Sequence, residues 1–345
     1  MKALVKYADE ANKVEVRDVP KAEMNDNQVL LKVAAIGVCG SDIHMWRQHH
    51  SWPIKIPLIL GHEFSGTVEA IGKNVAGFHI GNAVTCETAC QVCGTCLYCR
   101  SGRYHLCPSR LGFGALNDGS MCEYIAVRPD ILHHIPKNVS LEYASLTEPC
   151  CVAANAIFEM SSIKPGDTVA IQGAGAIGIL CMQMAKLCGA GTLIILGTDI
   201  DENRLRIAKE IGAHYALNIQ RDNPMDILKT IGDGYGADLV VDATGASAAL
   251  IQSMEMVRPL GQITKVGWGP QPFNHSLDLL VKKSARLQAT FSHTYVTWER
   301  VLTLMSTGQL ILDPIIGGVY SLDKWQEAFE DMETGKNIKS VLRAY

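Results

Sequence analysis

Residues 168–185 read TVAIQGAGAIGILCMQMA. The run approaches the length of a membrane span, but it carries Gln172, Gln183 and three glycines, Gly173, Gly175 and Gly178. A β-branched strand (TVAIQ), a G-x-G-x-x-G turn and an apolar helix account for it better. Glycines in that pattern permit a tight turn and a close approach of backbone to a pyrophosphate, which then rests on the positive end of the helix. Asp199 follows the next strand-like run, LIILGTD, where a carboxylate meets an adenosine ribose. The same context makes Ala176 and Ile177, on the turn itself, cofactor candidates.

Working outward, the runs DTVAIQG, LIILGTD, ADLVVDATG and GQITKVGW alternate with helical segments such as NRLRIAKEIGA between about 165 and 290. Strands alternating with helices predict an α/β fold with a doubly wound parallel sheet. Residues 1 to about 150 instead read as short strands separated by Asn, Asp and Gly, and the tail mixes helix-like pieces with a strand-like ending, SVLRAY. With 345 residues, 48% hydrophobic and 19% charged, the chain is expected to form about two ordered domains. Its net charge of −4 argues against a nucleic-acid or membrane partner. The N-terminus shows no secretory pattern, so a cytoplasmic location is expected, and the twelve cysteines there favour metal ligands and buried thiols over disulfides.

The acidic corner of Asp199, Asp201 and Glu202 would repel a 2′-phosphate, which favours NAD over NADP. Arg204 is a candidate for a cofactor role there, or a solvated helix charge.

Two groups of residues suggest metal. Cys93, Cys96, Cys99 and Cys107 form C-x2-C-x2-C-x7-C, a spacing that suits one closed tetrahedral Zn²⁺. An iron–sulfur cluster is the competing reading, because Cys107-Pro108 echoes a ferredoxin ending, although seven residues rather than three precede that last cysteine. Cys90 is a fifth thiol at another x2 step. Three nearby arginines make no basic stripe, which discounts a nucleic-acid zinc ribbon. The second group is scattered: GVCGSDIHMW supplies Cys39, Ser41, Asp42 and His44, LGHEFSG supplies His62 and Glu63, and TEPCC supplies Glu148, Cys150 and Cys151. A catalytic zinc needs about three protein ligands and an open position.

CGSDIH, GHEFSGTVEAIG, the cysteine lobe, DGSMCEYIAV, the Glu-Pro at 148–149, GAGAIG and the Thr-Asp at 198–199 occur in one order along the chain. In this the sequence resembles the zinc-dependent medium-chain dehydrogenases, closest to their polyol (sorbitol dehydrogenase-like) branch. The resemblance implies a GroES-like β-barrel catalytic domain over 1–153 and 291–345, with a structural-zinc lobe near 90–107, and an NAD-binding Rossmann domain over 154–290. The active site would lie in the cleft between them. Cys39 and His62 become catalytic-zinc ligands, with Glu148 favoured as the third and Glu63 as an exchanging ligand. The cysteine lobe becomes structural zinc, and Cys150 and Cys151 small buried residues. Thr244, Val266, Thr290 and Phe291 join the cofactor candidates. The implied chemistry is a Lewis-acidic zinc that ionises a secondary alcohol. Ser41 takes the proton, His44 relays it to solvent, and hydride passes to nicotinamide to leave a ketone. A homotetramer or homodimer is the implied assembly.

The substrate reading is a polyol, cyclitol or sugar acid. Where sorbitol dehydrogenase has an Arg-Tyr pair after a Phe, this chain has Ser292 and His293 after Phe291, which puts sorbitol itself in doubt. His293 and Tyr295 are candidates to bind hydroxyls, and Trp46 and Phe113 are candidate cleft walls. The alternatives are a threonine-type amino-alcohol dehydrogenase, which would need a carboxylate-binding cation such as Arg47 or Lys55, and a simple secondary alcohol or diol dehydrogenase. A non-catalytic NAD-binding protein would be expected to lack Cys39, His62 or Ser41, and all three are present.

Overall fold

A computed structural model describes residues 1–345, which divide into two compact units. The first comprises Met1–Glu148, His293–Glu333 and Lys339–Tyr345, and the second Pro149–Ser292 with Thr334–Ile338. The expected boundaries after 153 and before 291 are displaced slightly: the first junction falls inside helix Thr147–Ala154, and the tail lends five residues to the second unit. Local bonds explain that loan. Asn203 and Arg204 donate to the carbonyls of Lys336 and Asn337. A Cβ on Gly335 would come within 2.0 Å of the Ile200 carbonyl oxygen, so only glycine permits the approach.

The second unit is a six-stranded sheet in which every pairing is parallel. Its spatial order is Tyr215–Asn218, Thr192–Gly197, Thr168–Gln172, Ala237–Asp242, Val257–Lys265, Arg286–Ala289. In chain order this is 3-2-1-4-5-6, the arrangement of a dinucleotide fold, with a topological switch beside the first strand. TVAIQ is buried at all five positions, as a central parallel strand covered on both faces must be. Helix Ala176–Leu187 buries eight of its twelve residues, which is where the apolar run goes. No helix is long and apolar enough to cross a membrane.

The first unit is mostly antiparallel. A seven-stranded sheet contains Val29–Gly37, Glu63–Ile71, Ala83–Cys86, Leu132–His134 and Tyr124–Val127 from the N-terminal part, joined by Ile316–Ser321 and Lys339–Arg343 from the tail. Lys2–Lys6 pairs with Val14–Asp18 and Leu58–Ile59 in a separate three-stranded sheet. Trp46 and Phe113 belong to this core rather than to a cleft wall. Trp46 is 3% exposed and packs edge-on against Trp325 and Phe329, with centroids 5.4 and 5.9 Å away; Phe113 meets Phe64 at 6.0 Å.

The tightest approach in the second unit lies within GAGAIG. A Cβ on Gly178 would stand 1.8 Å from the Gly173 carbonyl oxygen. Gly178→Ala is therefore expected to destabilise the protein by about 1–3 kcal/mol through overpacking, read as a lowered thermal midpoint. Gly175, where a Cβ would meet nothing within 4 Å, should accept alanine with little change in that midpoint.

Candidate metal centre and dinucleotide site

The first metal-ligating group forms where three strands meet. In the pairing of Val29–Gly37 with Glu63–Ile71, Gly37 stands opposite Glu63, and the same Gly37 faces Val341 of the tail strand. Cys39 follows two residues later as the N-cap of helix Gly40–Arg47. His62 immediately precedes the Glu63 strand. The Cys39, His62 and Glu63 ligand atoms lie within 4.8 Å of one another. Glycine at 37 leaves room for the Glu63 carboxylate, since a Cβ would stand 2.2 Å from Glu63 Oε2.

Asp42, fully buried, ties the two ligand loops together. Its Oδ2 accepts from the Cys39 N–H at 2.9 Å, and its Oδ1 accepts from the Gly61 N–H at 3.3 Å and lies 4.0 Å from His62 Nδ1. Lys339, 2% exposed, places Nζ 2.7 and 2.6 Å from the two oxygens of Glu63. Glu148, in the first turn of helix Thr147–Ala154, is 7% exposed and outside the close set; its Oε1 is 3.3 Å from His293 Nε2. The structure thus reverses the expected emphasis, with Glu63 in the cluster and Glu148 beside it. Cys150 and Cys151 are fully buried.

The electrostatics show a deficit of positive charge. Burial opposes charge on His62, yet Cys39, Asp42 and Glu148 together raise its pKa well above the ordinary value. Burial likewise raises Glu63 and Asp42 against the pull of neighbouring cations. A thiolate, an imidazole and a carboxylate around one point, in a field that attracts cations, fit a zinc ion with room for a further ligand.

On the same helix Ser41 is half-buried and His44, three residues on and so on the same face, is exposed. The side chain is exposed at the surface yet partly desolvated by its surroundings, and that desolvation first, then the charges of His49 and His50, lower the His44 pKa.

The second group is the lobe. Its four sulfurs lie within 4.8 Å of one another, with Cys93–Cys99 at 3.9 Å and Cys93–Cys107 at 3.6 Å. Tetrahedral Zn–S bonds of about 2.3 Å set sulfurs about 3.8 Å apart. An iron–sulfur cluster spreads its thiolates over more than one iron and needs a wider cage. The thiols do not ionise alike: N–H groups of Thr95 and Cys96 bring Cys93 down to about 6, while burial and the Cys96 and Cys107 thiols push Cys99 up to about 12. One dication would relieve that competition. Cys90 stands outside the set and donates to the Leu111 carbonyl at 3.1 Å.

In the second unit the cofactor candidates line the carboxyl edge of the sheet. Gly173, Asp199, Thr244, Val266, and Thr290 with Phe291 each follow a different parallel strand. Gly175 caps helix Ala176–Leu187, and the open space where its Cβ would point leaves a helix N-terminus that could receive a pyrophosphate. Ala176 and Ile177 are half-buried on the first turn. Gly173 has φ +95°, and a Cβ there would press on Thr244 at 2.9 Å. Asp199 is exposed and accepts from Asn218 at 2.7 Å. Thr290 accepts from Asn155 at 3.0 Å, and Phe291 lies 5.8 Å from the exposed Trp268 ring. Arg204 is not a solvated charge, because its guanidinium is 2.8 Å from Asp201 and also donates to the Asn337 carbonyl.

Sequence reasoning missed Lys339, the bridging role of Asp42 and the contacts of His293. A helix N-cap followed by an Asp at the third position was a usable signal for Asp42. Nothing local announced Lys339.

Replacing Lys339 by methionine leaves Glu63 buried without its counter-charge. A loss of about 3–5 kcal/mol is expected, measured by denaturant unfolding. Cys107→Ser should reduce bound zinc from two ions per chain, one for each cluster, to one, measured by elemental analysis.

Comparison with known proteins identifies the family. Residues 25–137 match the model of the alcohol dehydrogenase GroES-like domain, and residues 176–307 that of the zinc-binding dehydrogenases. The chain is 37% identical over 343 residues to a sorbitol dehydrogenase of Halalkalibacterium halodurans, covering 99% of both chains. It is also 37% identical over 336 residues to an L-threonine 3-dehydrogenase of Pyrococcus horikoshii, covering 96% of this chain and 94% of that one. A zinc-binding dehydrogenase of Sinorhizobium meliloti 1021, solved with NADP bound, superposes with a TM-score of 0.89 at 27% identity, covering 99% of this chain and 98% of the other. With its two zinc-type ligand sets, its dinucleotide sheet and relatives along its whole length, the chain belongs to the zinc-dependent medium-chain dehydrogenases.

Proposed function

We propose that this dehydrogenase oxidises a secondary alcohol of a polyol, cyclitol or sugar acid to the ketone, with NAD as hydride acceptor. The carrying observation is the Cys39–His62–Glu63 cluster with Ser41 and His44 stacked on the helix that starts at Cys39. Zinc at this cluster supplies Lewis acidity, and the nicotinamide takes the hydride. The chain's own part is to hold and move the proton. Ser41, two residues after a ligand, is placed to accept it from the substrate hydroxyl. His44, one helical turn on and exposed, carries it towards water.

Full-length relatives include both a sorbitol dehydrogenase and threonine dehydrogenases, so the preference for a polyol over an amino acid rests on the chain's own residues. Arg47, a candidate to bind a substrate carboxylate, is held by Glu333 at 2.6 Å and lies 3.5 Å over the Trp46 ring. Asp199, Asp201 and Glu202 support NAD, and Arg204, the nearby cation that could welcome a 2′-phosphate, is engaged by Asp201. The reading includes a cytoplasmic homodimer or homotetramer.

The test is a panel of polyols, cyclitols, sugar acids, simple diols and L-threonine, each with NAD and with NADP, followed by nicotinamide absorbance. Ketone formation from a polyol-class substrate with NAD is expected, and Cys39→Ala should abolish it. L-threonine as the best substrate, or a preference for NADP, would overturn the corresponding part.

The relay also predicts a pH response. His44 must be neutral to accept a proton, and its pKa is lowered from 6.5, so it stays neutral into mildly acid solution. The acid limb of kcat should therefore fall below the ordinary histidine value, and His44→Ala should lower kcat by about 10²-fold.

A further inference from the structure

His293, a candidate hydroxyl binder by sequence, is 1% exposed and engaged by protein on both ring nitrogens. Trp298 Nε1 lies 2.7 Å from His293 Nδ1, with the two rings edge-to-face at 5.1 Å. An indole N–H can only donate, so Nδ1 must present its lone pair, and the ring proton sits on Nε2. Nε2–H then points at Glu148 Oε1, 3.3 Å away. Trp298 is itself fully buried and stacked 5.2 Å from His133, which bonds Glu87 at 3.1 Å and Glu299 at 2.5 Å. The polarity of the line from Trp298 through His293 to Glu148 is therefore fixed by packing.

Glu148 is electrostatically coupled to His62, Glu63 and Lys339, so it adjoins the metal centre, although its oxygens are not among the close ligand atoms. Cys39, His62 and Glu63 already give three ligands; a fourth would close the position an alcohol must take. We propose that His293, locked in its Nε2–H form by Trp298, is a positioning residue that tethers Glu148 away from the cluster and so keeps one coordination position open. The tether rests on the dehydrogenase reading for its purpose, but its test does not depend on the substrate.

The experiment measures zinc release to a competing chelator, and the visible spectrum after cobalt(II) substitution, on the holoenzyme, alongside turnover. In His293→Ala, Glu148 is free to join the metal. Zinc release should slow by about 10-fold or more, the cobalt spectrum should change, and turnover should fall. Trp298→Phe keeps the ring packing and removes the donor, so it should move all three in the same direction by less, and it serves if His293→Ala folds poorly. Adding Glu148→Gln to His293→Ala should return zinc release to the parent rate. Faster zinc loss in His293→Ala, or slow release that persists in the double variant, overturns the tether. An active-site reading that failed instead would show as a parent enzyme without dehydrogenase turnover, whatever the chelator reads.

Discussion

Buried negative charge governs the first unit. Asp42, Glu63 and Glu148 are each more than nine-tenths buried, and the Cys39 thiol lies among them. Taking carboxylates out of water costs several kcal/mol each unless cations or hydrogen-bond donors answer them. The answers come from far along the chain: Lys339 meets Glu63 across 276 residues and His293 meets Glu148 across 145. Asp42 is answered by backbone, through two N–H groups that belong to the two ligand loops. One buried lysine does not balance this set. The remaining deficit is what a dication at Cys39, His62 and Glu63 would make good, so the fold of the tail and the affinity for metal are parts of one charge balance.

The lobe solves a similar problem by local means. Four thiols within a short stretch can all approach one point because the chain needs only tight turns to bring them there. Backbone N–H groups of Cys96 and Cys99 already point at the sulfurs of Cys93 and Cys96, at 3.3 and 3.5 Å. The lobe is also anchored outside the sulfurs. Tyr104, from the same segment, donates to the buried Glu87 at 2.5 Å, and Glu87 also bonds His133. That line continues through the stacked Trp298 to His293.

This difference in range explains what the sequence could show. GAGAIG and the cysteine spacing are local, and each carries its geometry within about twenty residues, so the dinucleotide sheet and the sulfur cluster were legible. The cluster of Cys39, His62 and Glu63 was legible only as separate candidates, because the register that sets Gly37 opposite Glu63 is a tertiary fact. Lys339 reads as one more charge at the start of KSVLR, and nothing near it hints at Glu63. Trp46 and Phe113 read as possible cleft walls because an aromatic pattern does not say which way a face turns. His293 read as a hydroxyl binder, and only Trp298, five positions on and turned back by one helix, gives its tautomer.

The two tethered carboxylates differ in a way that matters for the metal. Glu63 shares its charge with a lysine ammonium at 2.6 Å, a charge-assisted bond that withdraws electron density from both oxygens. Glu148 is held by a neutral imidazole at 3.3 Å, a weaker bond to one oxygen. Burial alone would raise the Glu148 pKa, but the His293 bond and the positive charge around His62 and Lys339 bring it below the ordinary value, so it stays ionised. Glu148 therefore keeps one oxygen clear of the His293 bond, whereas both oxygens of Glu63 face the Lys339 ammonium. In the proposed tether the restraint on Oε1 holds it outside the close set, and the direction of that restraint is set by the Trp298 indole N–H on His293 Nδ1.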